Sequence, residues 1–309
     1  MNIDERCQKL PVIHTEKTKW SSEKNDNNVL TLPYPIYSVD VSKWIDAFYK
    51  LELADVNYIE NMKKISDKDI SILSRDEILT RMTALIRGER FCDGLIAKAL
   101  SDGSLEAMSV RLNEITHSQE VIDQNLIIQI DGIIKDIWVH NISKDYDEKH
   151  LLKEDCLKNS FYYHLRTRLS DIMEKHNIRI FTEYYIPELR YRADIAIVQV
   201  DPEIKEQPLR NMVTNVFAII ELKYKSGYSK GIENEIKNDI WKIQDYIKIG
   251  RMDCQFYLAV IYETECWALN WFDRRQTNNW AANRVTELDA GFIDGVMRFE
   301  INSYNGLNS

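Results

Sequence analysis

Residues 213–225, VTNVFAIIELKYK, constrain this chain more than any other stretch. Its centre, VFAII, is apolar at five consecutive positions. Neighbouring side chains of a strand point to opposite faces, so such a run is apolar on both. A strand of that kind belongs inside a sheet covered on both sides. The run then breaks into Glu221 and Lys223, one residue apart and so on one face, while Leu222 turns to the other face with Ile220. A core rejects two charges there. The exit of a strand, where the sheet opens to solvent, accepts them, and so does a metal ion.

The flanking segments supply the rest of such a sheet. IRIFTEY (178–184) reads as a strand. LRYRADIAIVQV (189–200) alternates, with Ala193, Ile195 and Ile197 on one face and Asp194, Ala196 and Val198 on the other. Ahead of them, LLKEDCLKNSFYYHLRTRLSDIMEKH forms a helix with Leu157, Phe161, Leu165, Leu169 and Ile172 in its stripe and Glu154 on the same face. Behind them, KGIENEIKNDIWKIQDYIKIG is a second helix, facing inward with Ile232, Ile236, Ile240, Ile243 and Ile247 and stopped by Gly250. DCQFYLAVIYE and ECWALNWF read as two more strands and VMRFEINSY as a last one. The class is α/β, a mixed sheet flanked by helices, over residues 146–309.

The earlier part of the chain has a different rhythm. Residues 1–33 read as a polar arm closed by the turn-like LPYPIY. Residues 34–145 read as an all-helical N-terminal domain. One helix is capped by Asp40 or Ser42 and carries Trp44, Ile45, Phe48 and Leu51. Another starts at Ser74, with Glu77 at capping-box spacing and Ile78, Met82, Leu85 and Ile86 as its stripe. Gly88 and Gly103 punctuate two short helices. A longer helix spans about 119–140 despite Gly132, followed by a polar linker near 141–150. Arg87, Arg90 and Arg111 form either a basic patch or a solvated helix face. The segment GERFCDGLIAKALSDGSL resembles a bacterial helical domain without an assigned function, over about 80 residues.

Composition narrows the classes. Apolar residues make up 44% of the 309 and charged residues 29%, as in ordinary soluble proteins. No apolar stretch reaches the ~18–20 residues of a membrane span, so no membrane partner is expected. MNIDERCQKL lacks the layout of a secretory signal, and the five cysteines have no zinc-pair spacing, which points to reduced thiols in a cytoplasmic protein. The net charge of −9 argues against a chain coated in positive charge, although residues 151–250 are close to neutral. No G-x-x-x-x-G-K loop is present, which argues against an ATP-driven motor, and His164 and His176 stand alone. Tyr257, Tyr262, Trp267, Trp271 and Trp280 read as core and sheet surface, with base stacking as the alternative.

If the two charged strands pair, Asp194 approaches Glu221. Two carboxylates close together need a neutralising partner, which a divalent cation supplies. A nearby ammonium stabilises charge that develops on a phosphate under attack by water. Asp, a loop and Glu-x-Lys on adjacent strands after a helix resemble the PD-(D/E)XK nucleases, the restriction-endonuclease-like fold, over about residues 150–272. The resemblance implies Mg²⁺- or Mn²⁺-dependent hydrolysis of phosphodiester bonds, with DNA as the expected substrate and defence or restriction as the expected setting. It assigns Asp194 and Glu221 to the metal together with the carbonyl of Leu222, and Lys223 to the attacking water. It gives a supporting acid on the preceding helix to Glu154, next to Asp155, with Glu183 as a rival. Asp239, Lys242 and Gln244 are expected to line the cleft. Ala193 stands where the pattern often has proline. Cutting both strands of a duplex would call for a homodimer, and the acidic balance fits an activating partner protein. The alternatives are a catalytically silent nucleic-acid-binding or regulatory module on the same fold, or a structural partner that works through its helical part. A silent module would be expected to lose an acid or the lysine, and this chain keeps all three; the plain reading of Glu221 and Lys223 is an exposed ion pair.

Overall fold

A computed structural model describes residues 3–21, 32–65, 67–202, 204, 208–227, 232–250, 252–265 and 269–307. The chain forms two compact units, Met1–Asp123 and Gln124–Ser309.

The first unit is helical: α1 (Ile3–Gln8), α2 (Val39–Lys50), α3 (Tyr58–Ile65), α4 (Arg75–Gly88), α5 (Leu95–Ser101) and the first part of α6 (Ser104–Asp136). A short antiparallel pair, β1 (Lys19–Trp20) with β2 (Pro35–Ile36), accompanies them. Trp44, Phe48, Ile78, Met82, Ile86 and Leu100 lie in its core. Cys7, Leu10 and Ile13 lie there too, so this part of the polar arm is packed rather than loose. Residues 22–31 of the arm fall outside the described residues. Ser74 caps α4 in the expected box with Glu77. The cap of α2 is Ser38, not Asp40 or Ser42; its hydroxyl accepts from the Val41 N–H at 3.2 Å. Arg87 lies over the Tyr58 ring and Arg111 pairs with Glu114, so these two are engaged separately.

Helix α6 begins well before residue 119. It gives way to a π-helical turn, Ile137–Ile142, and then to α7 (Ser143–Asp147). Gly132 adds no strain: a Cβ there would meet nothing within 4 Å. Leu126, Ile130 and Ile134 of α6 join Ile137, Trp138 and Ile142 in the core of the second unit. The stretch expected as a polar linker is therefore helical to Asp147, because Ile142 is buried and Tyr146 packs on the same core.

The second unit continues with α8 (Glu154–Arg168), α9 (Ser170–Lys175), β3 (Ile178–Ile186), β4 (Tyr191–Val200), β5 (Val213–Lys225), α10 (Ile232–Lys248), β6 (Gln255–Glu265), α11 (Arg274–Thr277), β7 (Val285–Ile293) and β8 (Val296–Ser303). The six strands from β3 to β8 form one mixed sheet in sequence order. Pairs β5–β6 and β6–β7 are parallel, and the other three are antiparallel. Ile195, Ile197, Ile220 and Leu222 pack on one face with Leu157, Phe161 and Leu165 of α8. Ala196, Val198 and Ile219 pack on the other with Ile236, Ile240 and Ile243 of α10. Helices thus cover both faces of β5, as its doubly apolar run requires. Ala193 sides with Ala196 and Val198 rather than with Ile195 and Ile197.

One strand lies elsewhere than expected. Leu269–Phe272, the described part of ECWALNWF beyond β6, has no strand structure; Cys266 and Trp267 lie outside the described residues. The missing strand is β7, VTELDAGFI, whose two acids and glycine interrupt any apolar pattern. Tyr257 is buried and donates to Asp131. Tyr262 packs edge-on to Trp271, and Trp280 against Phe272. These aromatics serve the core.

Candidate active site

The ladder between β4 and β5 ends at the pair Ile195–Ile220. Beyond it, β5 stays beside β6 as far as Lys225 and Tyr262. The Leu222 N–H, no longer needed by β4, donates instead to Asp194 Oδ2 at 2.9 Å. One strand residue further in, Glu221 is fully buried. The two acids therefore meet where the strands part.

Helix α10 reaches Glu221 with two side chains one turn apart. Lys242 Nζ lies 2.6 Å from Oε2, and the Tyr246 hydroxyl donates to Oε1 at 2.7 Å. Helix α8 reaches the other two site residues from its first turns. Glu154 Oε2 is 3.1 Å from Lys223 Nζ, and Lys158 Nζ is 2.7 Å from Asp194 Oδ1. Lys158 also bonds Glu183 of β3, and Asp239 of α10 lies 3.3 Å from Lys223 Nζ. Glu183 sits in β3 between the pairs Thr182–Ile195 and Tyr184–Ala193, which puts it opposite Asp194. Its φ is +53°, and it is the one left-handed non-glycine residue inside a strand among the described residues. Strained backbone of this sort gathers at functional sites.

The cluster thus holds five carboxylates (Glu154, Glu183, Asp194, Glu221, Asp239) against three ammonium groups (Lys158, Lys223, Lys242). Acid is in excess. Burial pushes the Glu221 carboxyl up to about 8, against the pull of Lys242. Burial also raises Asp239, opposed by Lys223 and Lys242. For Lys223, burial acts to lower the pKa, but Asp239 and Glu154 outweigh it and hold the group above its ordinary value. Lys223 is therefore an ammonium at neutral pH, a stabiliser of negative charge rather than a base. Asp239 Oδ2 is buried and faces the Lys223 ammonium at 3.3 Å.

Of the residues expected from the sequence, Asp194, Glu221, Lys223, Glu154, Asp239 and Lys242 are brought together. Glu183 is present as well: Glu154 faces Lys223, and Glu183 faces Lys158 beside Asp194. Asp155 is exposed and pairs with Lys153. Gln244 makes no hydrogen bond to the cluster among the described residues. Sequence reasoning missed Lys158 and Tyr246. Each stands four residues after a residue it did find, Glu154 and Lys242, and so on the same helix face.

Two other acidic groupings stand out among the described residues. Asp145, Glu148 and His150 offer ligand atoms within 4.8 Å of one another, but Asp145 already serves Ser160 and His164. Glu287 and Asp289 are both fully buried on β7, where Glu287 accepts from the backbone N–H groups of Trp271 and Phe272.

Residues 2–118 match the model of a family described as "Family of unknown function (DUF6508)", a match that covers the helical unit and none of the cluster. Comparison with curated proteins gave no match, and comparison with solved structures gave none either. Among the described residues no helix is long and apolar enough to cross a membrane.

Proposed function

We propose that the second unit is a divalent-metal-dependent nuclease with a restriction-endonuclease-like fold, hydrolysing phosphodiester bonds of nucleic acid, DNA in the first place. The observation that carries this reading is the meeting of Asp194 with Glu221 where β4 and β5 part, beside Lys223. The mixed sheet, with α8 before the acids and α10 after the lysine, supports it.

The donor set suits Mg²⁺ or Mn²⁺, which take carboxylate and carbonyl oxygens. Asp194 and Glu221 would hold the ion, with the Leu222 carbonyl as a further ligand. The excess of acids over ammonium groups fits a cation in the same place. Such an ion supplies Lewis-acid polarisation of a phosphate and a more acidic bound water. Lys223, kept as an ammonium, stabilises the charge that grows on the phosphate oxygens. Glu154 and Asp239 hold that ammonium in place from two helices. The buried floor formed by Glu221 and Tyr246 keeps water from screening these charges.

The test is cleavage of plasmid and oligonucleotides with Mg²⁺, with Mn²⁺ and with EDTA, beside Asp194→Ala and Lys223→Ala. The expected result is cation-dependent cutting that falls by about 10²-fold or more in each variant. Cutting that persists unchanged in both variants overturns the site. Binding without cutting by any form supports the silent nucleic-acid-binding module instead.

A further inference from the structure

Asp194 and Glu221 are satisfied in the same way. Each keeps one oxygen on a neutral donor and the other on an ammonium. For Asp194 the neutral donor is the Leu222 N–H on Oδ2, and Lys158 lies 2.7 Å from Oδ1. For Glu221 it is the Tyr246 hydroxyl on Oε1, and Lys242 lies 2.6 Å from Oε2. The neutral donors are a strand backbone and a buried ring, so they fix the carboxylates in orientation. The ammonium groups arrive on flexible four-carbon stems from α8 and α10, the helices flanking the cluster. The side chain of Lys242 is 25% exposed, whereas that of Glu221 is wholly covered. Each lysine also has a second acid at hand. Lys158 already bonds Glu183, and Lys242 Nζ stands 3.9 Å from Asp239 Oδ1.

We propose that Lys158 and Lys242 are displaceable counter-ions. Their ammonium groups occupy the oxygens through which Asp194 and Glu221 take a divalent cation, and they retreat to Glu183 and Asp239 when it enters. This rests on the nuclease reading for the identity of the ion. The lysines keep two crowded acids compatible with a folded site, and they weaken cation binding by competing for the same oxygens. The two neutral donors stay in place throughout, so the ligand geometry is set before the ion arrives. Glu183 and Asp239 thereby gain a role that direct ligation does not describe: each is the waiting partner of a displaced lysine.

The experiment is calorimetric titration of the full chain with Mn²⁺ alone, for wild type, Lys242→Gln, Lys158→Gln and Asp194→Asn, with folding checked by circular dichroism. Glutamine keeps a hydrogen-bond donor for the carboxylate and removes the competing charge. An opposite charge at this range changes a carboxylate's affinity for a cation by about 10- to 1000-fold, so Mn²⁺ affinity is expected to rise in both glutamine variants, by at least about tenfold in Lys158→Gln. Asp194→Asn is expected to abolish the heat. The result is read separately for each lysine, so failure of one variant to fold leaves the other decisive. Affinity unchanged or reduced in the glutamine variants, with wild type binding and Asp194→Asn not, overturns the counter-ion role and leaves the nuclease reading standing. No Mn²⁺ heat from wild type overturns both.

Discussion

A carboxyl buried as completely as that of Glu221 needs a donor on each oxygen, and the structure supplies Tyr246 on one and Lys242 on the other. Removing a donor while leaving the buried acceptor costs about 1–3 kcal/mol. Tyr246→Phe keeps the ring and its packing near Tyr191 and Phe256, so the loss isolates the hydroxyl. The variant is expected to be less stable by that amount in urea unfolding at pH 7, with an unchanged slope; equal stability would show that Oε1 does not depend on the phenol. Three of the residues in this cluster were legible from type and spacing alone. Asp194, Glu221 and Lys223 are charges inside otherwise apolar strands, and period two fixes which of them share a face. Lys158 and Tyr246 were not legible, because a polar residue on a long amphipathic helix gives no sign of whether it turns toward a strand end or toward water. Only the acids they meet reveal it, and those come from β4 and β5.

The same contrast holds between elements. Strand β5 was read to its ends, 213–225, because a doubly apolar run closed by charges has one structural solution. Strand β7 was missed because Glu287, Asp289 and Gly291 break its pattern, yet both acids are fully buried. Burial raises the Glu287 and Asp289 carboxyls, and for Asp289 the neighbouring Glu287 raises it further. The pair retains a proton that the unfolded chain would release. Glu287 Oε2 and Asp289 Oδ1 have no other hydrogen-bond partner, and a shared proton would satisfy both. The sign of the pH effect follows. A carboxyl with a raised folded-state pKa contributes stability that is fully present below its unfolded value, about 4, and is lost as pH rises through the folded value. Asp289→Asn removes one of the two charges while its amide can donate to Glu287. In thermal unfolding at pH 5 and pH 8, the drop in Tm toward pH 8 is expected to be smaller in Asp289→Asn than in wild type. An equal or larger drop would show that this pair does not carry the dependence.

Across the whole molecule, the two units have separate cores, and the division between them falls inside α6 rather than in a loop. Composition could not show this. The stretch near 141–150 is polar and reads as a linker, because only Ile142 in it is buried and Tyr146 is partly buried among charges. Leu126, Ile130, Ile134, Ile137, Trp138 and Ile142 all belong to the core beneath one face of the large sheet. Each such side chain contributes about 1.5–3 kcal/mol by burial. Six together match or exceed the ~5–15 kcal/mol by which a typical domain is stable. A chain truncated to residues 124–309 is therefore expected to unfold cooperatively on heating, and one truncated to 150–309 to show no cooperative transition. The comparison also separates the units in function. If the longer fragment folds and cuts nucleic acid with Mn²⁺, the helical unit is dispensable for the chemistry. If both fragments melt with the same sharp transition, the segment from 124 to 149 does not carry the second unit's stability, and the sheet with α8 and α10 is stable by itself.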